Sequence, residues 1–239
     1  MNPYEASTSR AAYAVSEVQS DAVRGAFTWM ALGLVVTGLV GSYVANTPAL
    51  IESVLRPGLL LVFFLAELGL VFWLSRSVMT MSSSTATGVF LGYSALNGIT
   101  LAPIAIVYTG QSISSAFLIA ASLFGVMALY GAATKRDLSG MGSFLMMGLV
   151  GLLIAMLVNV FFQSSGVNFA IDVIGILVFT GLTAWDVQVI KRMANDMQFN
   201  FGGDQATLVR RVSILGALRL YLDLINLFLY VLRFAGDRK

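Results

Sequence analysis

Seven apolar stretches succeed one another along the chain, at roughly residues 27–44, 58–74, 86–108, 113–133, 140–162, 168–190 and 213–234. Each is near the length at which an apolar helix crosses a bilayer, about 20 residues. Polar residues inside them are few, so their positions carry information. The last stretch is the most marked: it holds Arg219, Asp223, Asn226, Tyr230 and Arg233. Residues 219, 223, 226 and 230 follow helical spacing and share one face, and Gly216 and Leu227 extend that stripe. A charged side chain at mid-bilayer costs at least about 2.5–3.5 kcal/mol, so that face must turn toward other helices. The pattern predicts an all-α polytopic membrane protein of seven transmembrane helices with the last helix central in the bundle. An interfacial helix lying on the membrane is the alternative for this stretch. Its opposite face of Leu, Ile and Phe and its few charges speak against that.

The other spans carry isolated polar groups. Span two contains Glu67. Span three contains Asn97, Gly98, Thr100 and Pro103, and a proline inside a membrane helix frees a carbonyl and commonly kinks it. Span six contains Asp172 and Asp186. Residues 1–25 are polar, lack the apolar run of a signal peptide, and read as a mobile cytoplasmic tail that ends in a short surface helix. Residues 26–236 read as a single seven-helix transmembrane domain, with no soluble domain and no internal repeat.

Composition sharpens this. The chain of 239 residues is 58% hydrophobic and 11% charged, against about 25% charged in soluble domains. It contains no Cys and no His. Disulfides, thiolate nucleophiles, Ser-His-Asp chemistry and His-ligated metals are excluded. No cofactor is expected. Any response to pH near neutrality must come from buried or paired carboxylates. The net charge of +2 gives no reason to expect nucleic acid. Nine loop and tail Lys and Arg fall on the amino-terminal side of the spans (Arg10, Arg24, Arg76, Lys135, Arg136, Lys191, Arg192, Arg210, Arg211), against Arg56 in the intervening loops. That imbalance predicts a cytoplasmic amino terminus. Seven full crossings then place Arg233, Arg238 and Lys239 outside, against the same rule; a re-entrant last span is the alternative.

Candidate chemistry lies with the acids. Asp172 and Asp186 are 14 residues apart, nearly four turns, so they share a face about 21 Å apart along the axis. Asp186 is near the end that leads to Lys191, and Asp223 is about three turns into the next, antiparallel span. The two can therefore meet in the inner half of the membrane. Two carboxylates at short range cannot both ionise cheaply and tend to share a proton. Once ionised, the pair offers oxygens to a hard cation such as Ca²⁺. The plainer reading makes each acid a helix-end group reaching the interface. It fits Asp172 best and Asp223 least. Asn97 and Thr100 read as interhelical hydrogen-bond formers. Arg219, four residues before Asp223, can pair with it along the helix or snorkel to the interface.

At these residues the chain resembles a known family. LRLYLDLINLFLYVLRF closely resembles the terminal-helix motif of the Bax inhibitor-1 (transmembrane Bax inhibitor motif) family, and TGLTAWDVQVIK resembles its penultimate-helix motif. NGITLAPI and TKRDLSGMGSFLMMGLVG resemble its bacterial members. The resemblance covers about residues 20–236. It implies a pH-sensing pair, Asp186 and Asp223, in a calcium (cation) leak channel or exchanger of a bacterial-type inner membrane, with lipid, Ca²⁺ and protons as partners. It also implies a basic latch at the end of the second helix, for which Arg76 is the nearest match and Ser75 competes. Glu67 and Arg219 are further candidate modulators, and Arg219 departs from the family pattern, which has a small or uncharged residue there. A second implied class is a regulatory protein acting on a membrane-bound ATP-dependent protease or on a stress or cell-death response. Nothing resembles the GxGD motif of intramembrane aspartyl proteases, and no enzyme activity is expected.

Overall fold

A computed structural model describes residues 3–200 and 204–239. Among them the elements are α1 (Pro3–Ala45), α2 (Pro48–Val54), α3 (Pro57–Ser77), α4 (Ser83–Leu101), α5 (Ile104–Val107), α6 (Gly110–Ala133), α7 (Ser139–Phe162), α8 (Ser165–Asn200) and α9 (Gln205–Ala235). Seven of these units are long and apolar enough to cross a membrane, α4 and α5 together forming one. The protein is an all-α, integral membrane protein. In hydrocarbon every backbone polar group must be satisfied within the segment, so helices are the only open-chain solution.

Local chemistry sets the helix ends. Pro48 and Pro57 occupy first-turn positions, where a missing N–H costs nothing. Ser82, Thr109 and Asp204 cap α4, α6 and α9 by accepting the backbone N–H three residues on, at 3.1, 3.1 and 3.2 Å. Two hydrogen bonds from Ser139, donated by its hydroxyl and then by its backbone N–H, hold the Asp137 carboxyl below its ordinary range ahead of α7. Pro103 divides α4 from α5, the interruption expected of it.

The last helix is the axis of the bundle. Of its most apolar stretch 72% is buried, against 44% for α8 and 6% for α3. It touches α1, α8, α6, α4 and α3. Around this axis Leu61, Phe64, Phe72, Leu129, Phe144, Leu157 and Phe161 are exposed. An apolar girdle of that extent is far beyond what a water-soluble surface carries; its solvent is lipid.

The structure decides how α9 runs. At its start Arg211 donates to the carbonyl of Met79 at 2.6 Å, in the α3–α4 connection. At its end Lys239 N–H donates to Val107 O at 2.9 Å and Thr109 N–H to Asp237 O at 3.3 Å, in the α5–α6 connection. These connections lie at opposite ends of α4–α5, so α9 traverses the whole bundle and is not re-entrant.

Two sequence expectations need correction. The stretch read as a tail is helical from Pro3 and continuous with the first span through Ala45; residues 1 and 2 lie outside the described residues. The connection before the last span, expected at about 22 residues, is mostly helix, because α8 continues to Asn200 and α9 begins at Gln205. Polar sequence outside the hydrocarbon ended the apolar pattern without ending the helices.

Candidate functional site

The α6–α8 contact is built on close approach. Ala184 of α8 lies against Gly131 of α6, where an added β-carbon would sit on the Ala184 backbone, 2.8 Å from its Cα. Gln188 then grips the α6–α7 turn: its amide oxygen accepts Leu138 N–H at 3.0 Å and its amide nitrogen donates to Arg136 O at 2.8 Å. Lys191 donates to Ala132 O. The α8 segment around Asp186 is therefore held from two sides before it meets α9. Gly131→Val is expected to destabilise the protein by about 1–3 kcal/mol, since backbone cannot yield as a flexible side chain can. Thermal unfolding in detergent tests this; an unchanged midpoint would show that the contact is slack.

Asp186 and Asp223 are 6% and 4% exposed. They are neighbours across the α8–α9 seam, each acting on the other's charge. Arg219 Nη1 donates to Asp186 Oδ1 at 2.9 Å. Its partner is thus the acid of the neighbouring helix, not Asp223 one turn away on its own. The guanidinium side chain is 37% exposed and that of Asp186 8%, so the arginine bridges the buried acid to the bundle's edge. Asp223 Oδ2 is buried and has no hydrogen-bond partner among the described groups. Among the described residues no third carboxylate joins the two.

A second acid–arginine pair closes the other end of the seam. Asp172 Oδ1 lies 2.5 Å from Arg233 Nη2, in an ion pair set off the ideal hydrogen-bond direction. The guanidinium also stands 4.8 Å over the Tyr230 ring, and that ring packs where Gly175 has no side chain. Asp172 precedes Asp186 by 14 residues and Arg233 follows Arg219 by 14. Both pairs therefore lie on one antiparallel register. Asp172, 7% exposed, is thus buried and paired near the end of its span, with the partly exposed Arg233 reaching outward from it.

Two other sequence candidates lie elsewhere. Arg76 is exposed in the last turn of α3 and is not among the groups acting on either acid of the pair. Glu67 is on the peripheral helix α3 and accepts Thr100 Oγ1 of α4 at 2.6 Å. It belongs to a polar cluster on the opposite side of α9, together with Tyr221 and Thr37, which sequence reasoning passed over. A hydroxyl in an apolar run gives no periodic signal, and only the fold reveals its partner.

Seven spans, a buried central helix, and two acid–arginine pairs on one interhelical seam define a class of polytopic membrane protein with charged groups sequestered in its core. The sequence matches the family described as Inhibitor of apoptosis-promoting Bax1 over residues 19–239. The chain belongs to this Bax inhibitor family. It is 45% identical over 214 residues to the inner membrane protein YbhL of Escherichia coli, covering 89% of this chain and 90% of that one. It is 43% identical over 215 residues to an uncharacterized protein of Borreliella burgdorferi, with 89% and 90% covered, and 42% identical over 213 residues to one from Rickettsia prowazekii, with 89% and 88% covered.

Proposed function

We propose that the protein is a pH-regulated leak pathway for calcium or a similar hard cation in a bacterial-type inner membrane, with its amino terminus in the cytoplasm. One observation carries this reading: a fully enclosed carboxyl, Asp223, with one oxygen lacking any partner, beside a second carboxyl already engaged by Arg219. A buried polar atom left unpaired calls for an explanation. A proton shared between the acids satisfies it at low pH. When that proton leaves, two adjacent carboxylates repel and draw in a cation. Calcium takes six to eight oxygens, and two carboxylates supply only part of that shell, the rest coming from water. Such a site binds weakly and releases readily, as conduction requires. The loop charge imbalance supports the orientation, and the membrane of YbhL supports the location.

The test is calcium flux. Purified protein in liposomes with an enclosed calcium dye should admit Ca²⁺, faster at the pH where the pair is ionised. Liposomes no leakier than protein-free controls across the pH series would overturn the reading. They would favour the alternative of a regulator that acts through a partner such as a membrane-bound protease.

A further inference from the structure

The face of α9 turned away from the acid pair carries its own polar centre. Tyr221 lies two residues before Asp223, about 200° around the helix. Its ring has no exposed surface and is fixed edge-on by Phe90 at 5.9 Å and Tyr93 at 5.7 Å. Its hydroxyl lies 2.6 Å from Thr37 Oγ1 of α1 and donates to Asn97 Oδ1 of α4 at 3.1 Å. Asn97 in turn reaches Glu67, whose carboxyl also accepts from Thr100. Glu67 is at the midpoint of α3, ten residues from either end, on a helix most of whose side chains are exposed to lipid. A side chain with this cost in hydrocarbon is rarely idle.

The chain of groups has two hydrogen-bond directions. Thr37 has one hydroxyl proton and two carbonyls within reach, Gly33 O at 2.9 Å and Ser94 O at 2.8 Å. Tyr221 also has one. With Glu67 ionised, the Asn97 amide nitrogen donates to it and Asn97 Oδ1 is free to accept from Tyr221. With Glu67 protonated, its O–H competes for that oxygen; Tyr221 turns to Thr37, and Thr37 to a carbonyl. The charge on Glu67 is thereby read at the hydroxyl of the central helix.

We propose that Glu67 is a second protonation site of the membrane domain, and that Asn97 and Tyr221 relay its state to the orientation of α9 and so to Asp223. Tyr221 is a positioning residue in this scheme. The titratable groups facing Glu67 are Tyr93 of α4 and Tyr221 of α9. Helix α4 carries no charged residue, and α2 contributes only Glu52, exposed. Arg219 and Asp223 face the α8 side of α9. The coupling rests on the acid pair sharing a proton, so the experiment reads carboxyl groups rather than flux.

Infrared difference spectra of the full chain in lipid nanodiscs, taken across pH, resolve protonated carboxyls. Glu67→Gln should remove one band. The band lost in Asp186→Asn/Asp223→Asn belongs to the pair. Its midpoint should move by about half a pH unit or more on Glu67→Gln, and the same substitution should leave it unmoved in a Tyr221→Phe background. Thr37→Val serves as the second background should Tyr221→Phe fail to assemble. A shift of equal size in both backgrounds would mean that Glu67 acts through space and would overturn the relay. No shift in either, or no band lost with Glu67→Gln, would overturn the proposal. If the double Asn variant lost no band, the pair reading and the coupling would fall together, and the Glu67 band would still decide whether Glu67 holds a proton.

Discussion

Replacing Asp186 and Asp223 together by Asn is expected to leave calcium flux flat across about pH 5 to 8, the range in which the proposed acid pair would otherwise make it vary. The chain has no histidine, so no ordinary neutral-range titrating side chain remains. Asn keeps the volume of Asp and one acceptor oxygen, so packing at the seam survives while the titrating proton is lost. The single variants should differ from each other. Asp186→Asn leaves Arg219 only a neutral amide oxygen to donate to, and without the ion pair the partly exposed guanidinium turns outward. Asp223→Asn fills the unpaired oxygen position with a neutral amide and leaves the Asp186–Arg219 bond intact. Flux measured in liposomes over a pH series, for the three variants side by side, checks this. A wild-type profile in the double variant would place the sensor elsewhere, with Glu67 the next group to replace.

Arg219→Gln is expected to move the midpoint of the pH response upward by roughly one unit, at the low end of the one-to-three range for an arginine beside a carboxylate. The sign follows from the geometry. The guanidinium donates to Asp186 at 2.9 Å, and a nearby cation favours the ionised acid. Its removal lets the pair hold its proton to higher pH. The guanidinium side chain is 37% exposed, so solvent screens part of its field and keeps the shift modest. Arg219→Lys should restore most of the charge effect but not the directional bond. An unchanged midpoint in Arg219→Gln would reduce Arg219 to an interfacial anchor.

The sequence and the fold part company at identifiable places. The acids were legible because charge inside an apolar run is costly and therefore conspicuous. The centrality of α9 was legible from the same residues. The partner of Arg219 was not: spacing along one helix offers Asp223 at four residues, and only the register between two helices offers Asp186. The same ignorance of register left Asp172 and Arg233 as separate end groups. Arg76 matched a basic position in sequence, and the fold leaves it exposed in the last turn of α3. Tyr221 and Thr37 were invisible because a buried hydroxyl is satisfied by whatever the fold brings to it. The helical extensions of α8 and α9 were missed because hydropathy marks where lipid ends, not where a helix does.

The two ion pairs of the α8–α9 seam, 14 residues apart on each helix, also make the seam a gauge of membrane thickness. Fourteen residues span about 21 Å, and the hydrocarbon layer is about 30 Å deep. Centred in it, each pair lies about one helical turn from its boundary. Thinning the bilayer by a turn on each side would hydrate both pairs at once, and a thicker bilayer would keep both dry. Because the pairs share one register, neither helix can slide to rescue one end without breaking the other. Acyl-chain length is therefore expected to act on this seam without any change in pH.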